Sequence, residues 1–118
     1  MVDYIIDITE VSCTTSLTVK SDNLLVEGEH FSEAGILEHI AQSSAAWNGV
    51  RQSRTDLPQT GVIGAIRNCS IHRLPEIGET LQTTISIIAE LENKQVIHGQ
   101  TFSDNKLIAE ADINIAVV

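Results

Sequence analysis

From Val11 to Val19 the side chains alternate without a break. Val11, Cys13, Thr15, Leu17 and Val19 fall on one side, and Ser12, Thr14, Ser16 and Thr18 on the other. A period of two is the mark of a strand with one face buried. Tyr4, Ile6 and Ile8 precede it in the opposite phase, which predicts a bulge or turn near Thr9-Glu10. The same alternation returns from Glu79 to Leu91, with Leu81, Thr83, Ile85, Ile87, Ala89 and Leu91 on one side, and from Leu107 to Val117 through Ala109, Ala111, Ile113 and Ile115. Gln95 to Phe102 is a shorter strand, and Val62 to Leu74 is β-rich but less regular. The links Leu74-Pro75-Glu76-Ile77-Gly78, Glu92-Asn93-Lys94 and Asp104-Asn105-Lys106 are of hairpin size, so the C-terminal half reads as an antiparallel meander.

Glu33 to Asn48 breaks this pattern and is long enough for a helix. Ser32 is placed to cap its first turn, Glu33 suits the positive end of the helix dipole, and Gly49 is expected at the C-cap. Gly35, three residues after Ser32, leaves no capping box. At about 100° per residue, Ala34, Gly35, Ala41, Gln42, Ala45 and Ala46 fall within about 80° of Glu38. Ile36, Ile40 and Trp47 lie opposite, with Leu37 to one flank. A bulky side thus packs on a sheet, and a small apolar side carries one carboxylate. The whole chain, 1–118, reads as a single α+β domain in which an antiparallel sheet wraps one helix.

Only 3% of the residues are aromatic, so Ile, Val, Leu and Ala must build the core. No apolar run approaches the roughly 18 residues that span a bilayer, and the N-terminus lacks the basic stretch of a signal peptide. The expectation is a cytoplasmic protein without a membrane partner. Cys13 and Cys69 have no metal or redox spacing, and the four histidines are dispersed, so neither a metal site nor a cofactor is implied. A net charge of −9 argues against nucleic acid. Between positions 51 and 73, however, Arg51, Arg54, Arg67 and Arg73 stand against Asp56 alone, a local basic patch suited to an anionic partner, or a set of solvated arginines.

Leu37-Glu38-His39-Ile40-Ala41-Gln42 resembles the helix signature of the hotdog-fold 3-hydroxyacyl-[acyl-carrier-protein] dehydratases, typically Leu-x-x-Glu-Ala-x-Ala-Gln. Ile63 to Arg73 with Leu74-Pro75-Glu76-Ile77-Gly78-Glu79-Thr80-Leu81 is similar to their following strand and turn, and Ile108-Ala109-Glu110-Ala111 to their Val-Ala-Glu-Ala. The resemblance covers nearly the whole chain. It departs at the family's catalytic histidine, which lies in Gly-His-Phe-Pro 14 residues before the glutamate; here that position is Leu24. Gly28-Glu29-His30-Phe31 brings His30 within eight residues of Glu38, without the proline, and Ala34-Gly35 replaces the family's Pro-Gly.

The resemblance implies a hotdog fold and a dimer or higher even-numbered oligomer, with the two catalytic groups of each site on different subunits. It also implies dehydration of a 3-hydroxyacyl thioester carried by acyl carrier protein or coenzyme A. Glu38 and His30 are then the catalytic pair, a desolvated carboxylic acid and an imidazole base. Gly35 with the first helical turn would offer N–H groups to the thioester oxygen, and Ala34, Gln42 and Gly64 would border the substrate. Arg67 and Arg73 would receive the acidic carrier or a coenzyme A phosphate. Two alternatives stay open: a hotdog thioesterase, which needs no histidine, and a non-catalytic acyl-binding or heterodimer subunit. His30 as a solvated loop residue is equally compatible with the sequence. His39, about 100° from Glu38, is expected to be structural or peripheral, and His72 and His98 to be strand-surface residues.

Overall fold

The structure, a computed structural model, describes residues 2–52 and 61–117. Eight strands and one helix follow in order: β1 (Tyr4–Ile8), β2 (Ser12–Thr18), β3 (Val26–Glu27), β4 (His30–Phe31), α1 (Glu33–Gln52), β5 (Gly61–Ile71), β6 (Thr80–Leu91), β7 (Lys94–Ser103) and β8 (Lys106–Val117). Six strands make one antiparallel sheet in the order β1-β2-β6-β7-β8-β5, and β3 and β4 pair separately. The sheet curls round α1, the hotdog arrangement that the resemblance implied.

The turn expected near Thr9-Glu10 is present. Thr9 accepts the Ser12 amide through its hydroxyl at 3.0 Å, and β1 folds back on β2 with a bulge between Ile5 and Asp7. Cys13, Thr15, Leu17 and Val19 are buried as the alternation requires, whereas Val11, in the turn, is exposed. Gly78, at φ +97°, closes the turn after Pro75.

The alternation in β6 is interrupted. Leu81, Thr83 and Ile85 are buried, but a bulge between Ile87 and Ala89 shifts the register against β7. One extra residue reverses the facing of everything beyond it. Ala89 and Leu91, expected beside Ile87 on the inner face, therefore stand on the outer face and are exposed.

Ile36, Ile40 and Trp47 meet the sheet as expected, in one core with Phe31, Leu81, Ile85, Ile97 and Ile113. The helix lies close enough that a Cβ on Gly99 would stand 2.5 Å from Ile40 Cγ2, so only glycine fits beneath it. Polar groups share this interface. Thr15 Oγ1 meets Ser43 Oγ at 2.7 Å, Ser43 Oγ donates to the His39 carbonyl at 2.8 Å, and Thr83 meets Thr101 at 2.7 Å. His39 is itself fully buried on this side of the helix, a structural position as expected.

The helix does not end at Gly49. It continues to Gln52, and Gly49 lies in an open part of its last turns. A helical glycine costs only about 1 kcal/mol against alanine, too little by itself to end a helix.

Candidate active site

The helix start is tied to the loop before it. Ser32 Oγ accepts the Gly35 amide at 3.1 Å and its carbonyl accepts the Ile36 amide, which is the N-cap the sequence predicts. A Cβ on Gly35 would lie 2.7 Å from the Phe31 ring. Gly35 is thus required for packing, and its N–H is spent on the cap. This corrects its expected role as a free donor to a thioester oxygen.

Glu38 stands in the middle of the solvent-facing side of α1, opposite the arc buried on the sheet. Gln42 Nε2 donates to its Oε1 at 2.9 Å, one turn along. Ala34 and Ala45 are exposed beside it and Ala41 is half-buried. The two-sided helix is as predicted, but among the described residues Glu38 is left exposed. The bulky residues take the sheet, so helical geometry leaves the carboxylate outward. The expected burial of Glu38 in a groove is not seen among the described residues.

His30 is held on a short stitched segment. Gly28, at φ +64°, turns β3 into β4. The Phe31 amide donates to the Pro75 carbonyl at 2.8 Å and the Ile77 amide to the Glu29 carbonyl at 3.0 Å, clamping this hairpin to the 74–79 turn. The exposed imidazole lies 3.8 Å from a Glu76 carboxylate oxygen. Sequence reasoning missed Glu76, because only the fold brings the turn beside His30.

Gly64 falls at a bulge between Ile63 and Ala65 in edge strand β5, facing the Asn114 carbonyl. The structure does not bring Gly64, expected to border the substrate, to the exposed side of α1.

Of the basic patch, Arg67 and Arg73 lie among the described residues. Arg73 donates from both terminal nitrogens to Glu79, at 2.9 and 2.7 Å. Glu79 also accepts the Ser103 hydroxyl at 2.7 Å and the Glu76 amide. The Arg73 hydrogen bond, ahead of the other contacts, pulls the Glu79 carboxyl down to about 2. Arg73 is therefore neutralised within the chain and is no free docking cation. Arg67 is exposed on β5, in register with Asp112. Arg54 and Asp56 lie outside the described residues, as does the Arg51 side chain.

His98 is half-buried on the outer sheet face, its Nδ1 2.6 Å from Asp112, and Asn68 donates to the other Asp112 oxygen at 2.8 Å. These contacts, Asn68 first and His98 second, hold the Asp112 carboxyl below its usual range. Both cysteines are free, Cys13 buried and Cys69 exposed. Burial, and then the charge of Glu33, raises the Cys69 thiol, so the first turn of α1 lies near β5. Among the described residues no cluster of metal-binding side chains is present, and no helix is long and apolar enough to cross a membrane.

A family model described as ApeP-like, ApeP dehydratase, matches residues 1–118. No curated protein matches the chain. Among solved structures, the chain is similar to the dehydratase heterocomplex ApeI:P from Xenorhabdus doucetiae, with a TM-score of 0.88 at 15% identity, over 98% of this chain and 80% of that one. It is similar to a hypothetical thioesterase protein with coenzyme A from Streptococcus pneumoniae TIGR4, with a TM-score of 0.79 at 10% identity, over 98% and 84% of the two chains. The PaaI protein from the phenylacetic acid degradation operon of E. coli matches with a TM-score of 0.76 at 16% identity, over 95% and 80%. At such identities these likenesses establish the hotdog fold.

Proposed function

Since the chain belongs to the ApeP-like dehydratase family, we propose that it dehydrates 3-hydroxyacyl thioesters, on acyl carrier protein or coenzyme A, at a site completed by a second subunit. The observation that carries this reading is the Glu38–Gln42 pair on a helix side of small residues that the chain leaves uncovered. An uncovered alanine-rich side is suited to an apolar tail only once something closes over it. Strand β5 is at the sheet edge, and α1 begins beside it. A subunit added at β5 would therefore stand next to the first turns of the helix.

In that assembly Glu38 is the acid and His30 of the other subunit the base. The imidazole removes the C2 proton, the electrons form the C2–C3 double bond, and the departing 3-hydroxyl takes the Glu38 proton to leave as water. Closure by the second subunit would desolvate Glu38, which the single chain does not do. Gln42 keeps the carboxyl turned toward the groove.

The exposure of His30, and its pairing with Glu76 within the chain, favour one further reading. In it the site is completed by a different hotdog subunit that supplies the imidazole, in keeping with the heterocomplex named for the Xenorhabdus doucetiae structure. The test is turnover of a 3-hydroxyacyl thioester by the purified protein, read as the enoyl product. Activity lost in both Glu38→Ala and His30→Ala supports the self-contained dimer. No turnover by the purified protein alone supports the second reading, and free thiol release without enoyl product would mean thioester hydrolysis. Normal turnover by Glu38→Ala refutes the site.

A further inference from the structure

The outer face of the sheet, away from α1, is polar over much of its area; Thr14, Thr84, Gln100 and Glu110 form one row across β2, β6, β7 and β8. Its character changes beyond the β6 bulge. Two neighbouring rows there run Ala89, Val96, Asn114, Ala65 and Leu91, Lys94, Ala116. They enclose a cavity of about 270 Å³ that reaches Gly64 on β5. The bulge after Ile87 creates it, by swinging Ala89 and Leu91 to this side. Small side chains keep the middle shallow, and Leu91 forms a wall that is 70% exposed. Apolar surface of this kind, set in an otherwise polar face, offers an aliphatic chain a place to lie.

One cation stands among these groups. Lys94 is among only 7 basic residues against 16 acidic ones, and among the described residues no ion pair engages it. Such a cation at the border of an apolar groove calls for an amphiphile with a negative head.

We propose that this groove binds a linear aliphatic carboxylate, with the head on Lys94 and the tail crossing β8 toward Gly64. Lys94 on β7 and Gly64 on β5 are two strand spacings apart across the sheet and offset by about two residues along it, roughly 12 Å, about the full length of an eight-carbon carboxylate. Asn114, the other polar side chain on the groove's outer surface, lies under the path of the chain and offers its amide to the head group.

The experiment is calorimetric titration of the full-length protein with octanoate. Saturable binding of one octanoate per chain is expected. Lys94→Glu, on an exposed hairpin where folding is checked by circular dichroism, should weaken it at least about tenfold, the scale of a lost charge-assisted contact. Octan-1-ol should bind correspondingly weakly, and Ala89→Trp, which fills the groove, should abolish binding. Glu38→Ala should bind octanoate as the parent does, which separates this groove from the helix side. No saturable binding, or equal binding by Lys94→Glu, overturns the proposal. So does a smaller oligomer in Leu91→Asp at unchanged octanoate affinity, since a second copy would then occupy the groove.

Discussion

Gln42 donates its side-chain amide to the Glu38 carboxylate at 2.9 Å, so the candidate acid is held by a residue one helical turn away on the same exposed side. If Gln42 orients Glu38 for proton donation, the two substitutions should differ in depth. Glu38→Gln removes the proton and should lower kcat by about 10²–10⁴-fold, the usual contribution of a general acid. Gln42→Ala leaves the proton but frees the carboxyl, and should lower kcat by about tenfold or less, with KM little changed. Steady-state kinetics on the assembled protein checks both. Equal losses would mean that Gln42 does more than orient.

The Arg73–Glu79 pair makes acid stability a direct test of the turn against which the His30 hairpin is clamped. The Glu79 carboxyl is at about 2 in the folded chain against an ordinary 4.5. A depressed carboxyl stabilises the fold above its unfolded value and loses that contribution as pH falls from about 4.5 toward 2. Arg73 is nearly half exposed, so solvent screening reduces the pair to about 1–2 kcal/mol. Arg73→Ala should therefore lower stability by that amount at pH 7. The gap from the parent should close near pH 2, as measured by urea unfolding across the range.

Ser43 and Thr15 test the buried polar layer. Their hydroxyls are 2.7 Å apart with no access to water. Ser43→Ala leaves Thr15 without this partner and should cost about 1–3 kcal/mol. Adding Thr15→Val removes the orphaned hydroxyl and should restore part of the loss. Thermal melts of the two variants decide it, and a strictly additive double variant would show that the hydroxyls act independently.

Several elements were legible from pattern alone. Period-two runs gave β2 and β8 their inner faces, and the wheel of α1 separated Ile36, Ile40 and Trp47 from Glu38, because helix and strand periods are local properties of a chain. The β6 bulge was not legible. Alternation continues in the residue types through Ala89 and Leu91, and only the pairing with β7 shows the extra residue. Gly49 read as a C-cap because glycine often ends helices, yet the residues after it keep the helical conformation. At the site, Glu38 and Gln42 were legible from helical spacing. The contacts His30–Glu76 and Arg73–Glu79 depend on how the 74–79 turn lies against the β3–β4 hairpin. Helical spacing placed Glu38 among alanines, but whether such a side is covered is a tertiary property, and among the described residues it is exposed.

Gly99 provides the sharpest test of how the sheet wraps the helix. A methyl group there would stand 2.5 Å from Ile40 Cγ2 and 3.2 Å from Ile85 Cδ1, both in the closed core. Neither side chain can retreat, since each is fully buried among its neighbours. Gly99→Ala should therefore destabilise the fold by about 1–3 kcal/mol through overpacking, despite the better strand propensity of alanine. Ile40→Ala alone should cost about 2–5 kcal/mol, as a cavity does. The new methyl would occupy part of the space that Ile40 vacates, so the double variant should be more stable than the sum of the single losses predicts. A coupling of at least about 0.5 kcal/mol in a double-mutant cycle is the expected sign of contact. Additive losses would mean that α1 does not rest on Gly99, and that the helix carrying Glu38 sits elsewhere on the sheet.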